Sequence, residues 1–248
     1  MEGNLFSLSD YDRNRYTRQM MISGWGNEGQ LKLKNSTVFI AGAGGLGNPV
    51  ATYLTVAGVG VIKICDFDKI EVSNLNRHIL YNDRNIGDLK VISAARTLRE
   101  LNPFISISTS AEQLNMKNID NIIGKPDVIV DCLDNFETRF LLNHYCVAHK
   151  IPVVYAAVRG MVGQITFLIP PETPCLQCIF PEIPPKEVSP ILGATPGIVG
   201  SIQAMEVLKF LTGIGTLLKN RLLIFDGEEM TFNSITIRRK PSCPECGK

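Results

Sequence analysis

The chain has 248 residues, 45% hydrophobic and 20% charged, an ordinary globular balance with slightly more apolar surface than average to cover, some of it in a subunit interface. Its 25 basic and 24 acidic residues leave a formal charge of +1, which excludes an overall field drawing the chain onto nucleic acid or an anionic membrane. The opening Met1-Glu2-Gly3-Asn4 has no apolar leader run, and the longest apolar stretch, Gly197 to Leu211, contains Gln203, Glu206 and Lys209 and is too short to span a bilayer, so a cytoplasmic protein is expected.

In chain order, Ser9 to Met20 begins with a capping residue, carries acids first and bases later, and predicts a short helix that packs on something else. Thr37 to Ala41 is a β-branched and apolar strand, followed by glycines and a helix from Asn48 to Ala57; Val61 to Asp66 is the next strand. The unit then recurs: a helix over Leu89–Leu101, strands over Ile105–Ser110 and Asp127–Leu133, a helix over Phe136–His149 and a strand over Val153–Ala157. Strands alternating with helices predict a doubly wound, mostly parallel α/β sheet covered on both faces. From Gln164 onward short strands (Gln164–Ile169, Arg221–Phe225, Ser234–Arg238) surround one helix over Pro196–Thr212, and these extend the sheet with antiparallel strands. Pro170 to Pro196 holds eight of the fourteen prolines and reads as a long loop of the kind that forms lids or binding segments.

Gly42-Ala43-Gly44-Gly45-Leu46-Gly47 sits between a strand and a helix, the context in which GxGxxG binds a nucleotide: Gly42, Gly44, Gly45 and Gly47 allow a tight turn and close backbone approach, and the helix N-terminus faces phosphate. Asp66 ends the following strand 19 residues after Gly47, where an acid bonds ribose hydroxyls. Alone, the motif says nucleotide, with NAD its commonest ligand. Asp66-Phe67-Asp68, Ser73-Asn74-Leu75-Asn76-Arg77, Gly87-Asp88-Leu89-Lys90 and Asp131-Cys132-Leu133-Asp134-Asn135 follow the carboxyl ends of successive strands. Two cations and an acid there suit a triphosphate with Mg²⁺ better than a hydride carrier. The chain has no GxxxxGK[ST] loop and no GxSxG elbow, and its three histidines, His78, His144 and His149, have no metal spacing.

Cys175-Leu176-Gln177-Cys178 and Cys243-Pro244-Glu245-Cys246 supply four thiolates, enough to close a tetrahedral structural Zn²⁺ site and leave no position open to water. A thioredoxin-like redox role expects a single CxxC at a helix start, whereas these lie in a proline-rich loop and the tail. Cys65, Cys132 and Cys146 fall in apolar patterns and read as small buried hydrophobes.

Together these marks make the sequence resemble the MoeB/ThiF/HesA family of ubiquitin-activating-enzyme-like adenylyltransferases over nearly its whole length: Arg18 in Arg15-Tyr16-Thr17-Arg18-Gln19, the glycine turn, Asp66-Phe67-Asp68, Ser73-Asn74-Leu75 with Arg77, Lys90, Asp131 to Asn135 with Arg139, and both CxxC pairs. The resemblance implies one adenylation domain over 1–248, with a helical arm at 1–34, a nucleotide-binding core at 35–160 and a zinc-bearing part at 161–248. It implies that the glycine turn and Asp66, with Asp68, hold the adenosine end of ATP, that Arg77 and Lys90 grip phosphates with support from Asn74, and that Asp134 binds Mg²⁺. Arg139 orders Asp134 and the following helix. Arg18 reaches into a neighbouring subunit's site, which implies a homodimer. The implied reaction is ATP-dependent adenylylation of the C-terminal glycine of a small ubiquitin-like sulfur carrier ending in Gly-Gly, with release of pyrophosphate. Many family members carry a cysteine in the loop after the first CxxC; here none lies between Cys178 and Cys243, and neither Lys186 nor Ser189 can take that role. Two other readings stand beside this one: an NAD-dependent oxidoreductase, from the glycine turn and Asp66, and a non-catalytic zinc scaffold, from the missing loop cysteine.

Overall fold

The run Thr37–Ala41 (β1) splits its side chains between two cores, Val38 and Ile40 to one and Phe39 and Ala41 to the other, as the two-residue period of a doubly covered strand requires. Full burial of a side chain such as Phe39 or Ile40 contributes about 1.5–3 kcal/mol. The structure, a computed structural model, describes residues 7–182 and 190–247. Lys186 and Ser189 lie outside the described residues.

Before β1 come Asp10–Arg15 (α1), Thr17–Met20 (α2) and Gly26–Lys34 (α3). After it follow Gly47–Ala57 (α4), Val61–Cys65 (β2), Lys90–Leu101 (α5), Ser106–Ser110 (β3), Ile119–Ile123 (α6), Val128–Asp131 (β4) and Phe136–His149 (α7). The last part comprises Val153–Arg159 (β5), Val162–Leu168 (β6), Leu176–Ile179 (α8), Ala194–Thr212 (α9), Arg221–Asp226 (β7) and Thr231–Thr236 (β8).

All eight strands form one sheet in the order β3-β2-β1-β4-β5-β6-β7-β8. The strands from β3 to β5 are parallel, and β6, β7 and β8 each pair antiparallel to the preceding strand. One core lies under α4, α5 and α9, through residues such as Leu54, Leu98 and Val207; the other lies under α6 and α7, through Ile123 and Leu142. From β1 the chain winds outward to β2 and β3, then returns to β4 on the opposite side of β1. The order therefore reverses between β1 and β4, and that crevice at the carboxyl ends is where an open α/β sheet takes its ligand.

Three expectations need correction. The opening helix is two helices, because Tyr16 is buried against Gly58 and accepts a hydrogen bond from Asn102 Nδ2 at 2.9 Å, which breaks the axis between α1 and α2. The last strand is Thr231–Thr236 rather than Ser234–Arg238: its register on β7, from Arg221 with Thr236 to Asp226 with Thr231, is set by the intervening loop. The first CxxC is not wholly in a loop, since Cys175 stands immediately before the single turn of α8. Among the described residues no helix is long and apolar enough to cross a membrane.

Candidate nucleotide site and zinc centre

The glycine turn closes on itself at the β1/β4 switch. Gly42 adopts φ +100°, and a Cβ there would stand 2.6 Å from the Cys132 carbonyl oxygen; one on Gly47 would stand 2.1 Å from the Gly42 oxygen. Only glycine fits either place. Two side chains that the sequence reading gave no role, Asn48 and Tyr81, hold the turn. Asn48 Nδ2 donates to the Ala43 and Gly44 carbonyls at 2.8 and 3.0 Å, its Oδ1 accepts from Leu80 N at 2.7 Å, and the Tyr81 hydroxyl donates to Ala43 O at 2.8 Å. His78, directly after Arg77, packs edge-on against Tyr81 with ring centroids 5.6 Å apart. Side chains occupy the Ala43 and Gly44 carbonyls, and the Gly42 and Ala43 N–H groups are bonded to Cys65 O and Asp66, so the N–H groups of Gly44 and Gly45 are what remain to face a ligand. No side chain caps the N-terminus of α4; Asn48 N and Val50 N are bonded to the Gly44 and Leu46 carbonyls and Pro49 has no N–H, so in its first turn the Gly47 amide is the one left to face an anion.

Asp66 leaves the end of β2 and folds back on the turn, its Oδ2 accepting from Ala43 N at 2.7 Å and its Oδ1 from Asp68 N at 2.8 Å. Burial pushes its carboxyl above the usual aspartate range, against the lowering pull of Lys90 and of these two N–H donors. Each oxygen keeps a second lone pair for a ribose hydroxyl. Lys90, almost fully buried at the start of α5, meets Asp68 at 2.7 Å. Arg77 packs beside Gly45 and donates to Ser73 O at 2.8 Å and Asn76 Oδ1 at 2.9 Å. The buried Asn74 accepts from Glu71 N at 3.1 Å and thereby shapes the turn that carries Arg77.

On the β4 side, Asp134 is exposed past the strand end, where its Oδ1 accepts from Asn135 Nδ2 at 3.4 Å. Beneath it, Asp131 and Arg139 form a buried pair at 3.9 Å. Burial raises the Asp131 carboxyl, and Arg139 opposes that shift. The Arg139 guanidinium lies over Tyr155 and Phe136, 4.9 and 5.4 Å from the ring centroids, and donates to the Leu133 carbonyl. It thus holds the backbone immediately before Asp134. Gln203 of α9 closes the base, donating to Asp131 O and Val154 O.

Arg18 does not join this group within one chain. It is exposed on α2 and makes no ion pair or hydrogen bond among the described residues, and its neighbour Gln19 is bonded to Ala57 O at the far end of α4. With 11 residues, α4 puts about 16 Å between that end and the glycine turn.

The four remaining predicted ligands converge elsewhere. The Cys175, Cys178, Cys243 and Cys246 sulfurs lie within 4.8 Å of one another, with Cys175–Cys243 at 3.7 Å and Cys178–Cys246 at 3.5 Å. A disulfide needs about 2.05 Å. Four thiolates around Zn²⁺ at about 2.3 Å stand about 3.8 Å apart, so the cluster has the dimensions of a closed Cys₄ zinc site. Burial raises the Cys175 and Cys178 thiols; it also acts on Cys243, but the N–H groups of Cys246 and Glu245 and the neighbouring thiols outweigh it and hold Cys243 down at about 7. Lys240 N points at Cys178 Sγ at 3.4 Å, and Leu176 N donates to Asn143 Oδ1 at 2.8 Å, tying the cysteine-bearing turn to α7.

A mostly parallel open sheet with a glycine turn and a buried lysine at its switch point, and a Cys₄ cluster that fits a zinc ion at its tail, define an α/β protein with the crevice of a nucleotide-binding sheet. The ThiF family model matches residues 16–245, and the chain belongs to that family. It is 43% identical over 246 residues to "Adenylyltransferase and sulfurtransferase MOCS3-1" of Drosophila pseudoobscura pseudoobscura, covering 96% of this chain and 54% of that protein, so the chain spans about half the relative's length. It is 40% identical over 245 residues to the "Sulfur carrier protein adenylyltransferase" of Thermus thermophilus, covering 94% and 90% of the two chains. A crystal structure of E. coli MccB with ATP superposes with a TM-score of 0.84 at 28% identity, covering 98% of this chain and 78% of that one.

Proposed function

We propose that the chain is an adenylyltransferase that uses ATP to activate the C-terminal carboxylate of a small ubiquitin-like sulfur carrier ending in Gly-Gly. The observation that carries the reading is the Lys90 ammonium, desolvated and held by Asp68 beside the glycine turn: a cation is kept out of water where a phosphate would arrive. The names of the Drosophila and Thermus relatives support the activity, and that of the latter the carrier.

The carrier carboxylate, with a pKa of roughly 3.5, is ionised at neutral pH and needs no general base. Its oxygen bonds the α-phosphorus while the bond to the β-phosphate oxygen breaks, and the electron pair leaves with pyrophosphate. The barrier is the approach of two anions, so the contribution of this chain is positioning and charge compensation. The glycine turn and the α4 N-terminus seat the nucleotide, Asp66 takes the ribose, and Arg77 and Lys90 neutralise the phosphates, Lys90 exchanging its contact with Asp68 for one with the leaving group. Asp134, an exposed carboxylate past β4 and held from below by Arg139, would bind Mg²⁺ with triphosphate oxygens, the donor set that ion prefers; when bound, it would neutralise charge on the leaving pyrophosphate. Zn²⁺ on the four cysteines has a structural role away from the reaction. Arg18, remote from its own site, completes that of a second subunit in a homodimer, and the chain works in the cytoplasm.

Incubation of the protein with ATP, Mg²⁺ and a Gly-Gly-ending carrier, followed by mass spectrometry, tests this reading. The expected product is a carrier heavier by one AMP; an unmodified carrier alongside intact ATP would refute it.

A further inference from the structure

His78 is left without a role by the roles assigned so far, yet it is only 3% exposed and stands beside the glycine turn, next to Arg77. Its backbone N–H donates to Asn74 O at 3.1 Å, and its ring is wedged against Tyr81, whose hydroxyl holds the Ala43 carbonyl. The two ring nitrogens differ. Nδ1 is buried with no hydrogen-bond partner, whereas Nε2 faces the glycine turn, 3.7 Å from where a Cβ on Gly44 would stand. Burial, reinforced by Lys90 and Arg77, lowers the imidazole pKa to about 3, so the ring is neutral at physiological pH and carries one N–H. A proton on Nδ1 would bury an N–H donor without an acceptor, which proteins avoid more strictly than a bare acceptor lone pair. The tautomer that fits is Nε2–H, with its donor aimed across Gly44.

From this geometry we infer that His78 is a nucleotide-binding residue whose neutral Nε2–H donates to a phosphate oxygen of the triphosphate on the glycine turn. This rests on the ATP reading above and adds a contact to it. A neutral donor suits the place, since a third cation beside Arg77 and Lys90 would repel both.

The chain contains three histidines, which makes the inference directly testable by imidazole ¹⁵N resonance spectroscopy of uniformly labelled protein. The side chains of His144 and His149 are 55% and 42% exposed on α7 and serve as internal references. At pH 7 His78 should show the Nε2–H tautomer; adding a non-hydrolysable ATP analogue with Mg²⁺ should shift its Nε2 signal, and adenosine should not. Calorimetry on the same samples reports whether the analogue binds. His78→Leu, which fills the space without a donor, should weaken analogue binding roughly tenfold and leave adenosine binding as it was, while His78→Gln, which restores an N–H, should recover most of the loss. Analogue binding with an unmoved His78 signal, or with full affinity in His78→Leu, overturns the inference and leaves the ATP reading standing. Absence of analogue binding by calorimetry overturns both. If His78→Leu does not fold, the wild-type spectra decide.

Discussion

Arg77 and Lys90 are held differently: Lys90 is buried in a pair with Asp68, while Arg77 is half-buried against backbone and amide oxygens. Both have to turn from protein oxygens to phosphate, so Arg77→Ala and Lys90→Ala should each slow adenylylation by about 100-fold at saturating ATP. Because Asp68 is half exposed and tolerates losing its partner, Lys90→Ala should melt close to the wild type; rate assays beside thermal melts check both points. The charged and glycine residues of the site were legible in the sequence because they recur at the carboxyl ends of successive strands, where chemistry and topology agree. His78, Asn48 and Tyr81 were not, since a buried histidine, asparagine or tyrosine carries no pattern of its own. Their partners, the carbonyls of Ala43 and Gly44 among them, become neighbours only once β1, β2 and the intervening turns are packed.

The helical arm shows how one element can depend on a single charged contact. At the start of α1, Ser9 and Asp12 form a reciprocal capping box, and Asp12 also meets Lys34 of α3 at 2.7 Å. Burial pushes the Asp12 carboxyl up, but Lys34 and the N–H and hydroxyl of Ser9 outweigh it, so its folded pKa lies below the ordinary value. A lowered pKa contributes stability that is complete above the unfolded pKa and is lost as pH falls through the folded one. Asp12→Asn should therefore cost on the order of 1 kcal/mol at pH 7 and progressively less below about pH 4, measured by denaturant titration across that range. The longest element that escaped the sequence reading, beside the short α6 and α8, is α3. Its segment, Gly-Asn-Glu-Gly-Gln-Leu-Lys-Leu-Lys, offers two leucines and no apolar stripe. It is fixed instead by polar burial, Gln30 accepting from Trp25 Nε1 and donating to Ala57 O, a tertiary cause that local periodicity does not display. The end of β8 was misplaced for a related reason: the strand is exposed throughout, so no alternation marks its register.

Across the whole molecule, the Cys₄ centre joins the tail to the turn at Cys175–Cys178, and Leu176 N passes that anchorage to α7, which carries Arg139 and so supports the backbone before Asp134. The protein should hold one Zn²⁺ per chain. Stripping it with a chelator should lower the melting temperature and open residues 170–182 and 238–247 to proteolysis before the parallel strands, as mapped by limited digestion. The strand order was legible in outline because βαβ alternation admits few topologies; the second subunit proposed from Arg18 would leave no such trace in one chain. The position of Arg18, at the opposite end of α4 from its own glycine turn, supplies an assay for it. Arg18→Ala and Asp134→Ala proteins should each be inactive, and an equal mixture allowed to exchange subunits should recover about a quarter of wild-type activity, because half the dimers then contain one intact site. The most direct measurement is exchange of labelled pyrophosphate into ATP, which reports reversible formation of an acyl-adenylate. It should require a carrier with its terminal glycine in place and collapse in Lys90→Ala; exchange that persists without the carrier's terminal glycine, or proceeds undiminished in Lys90→Ala, would contradict the account.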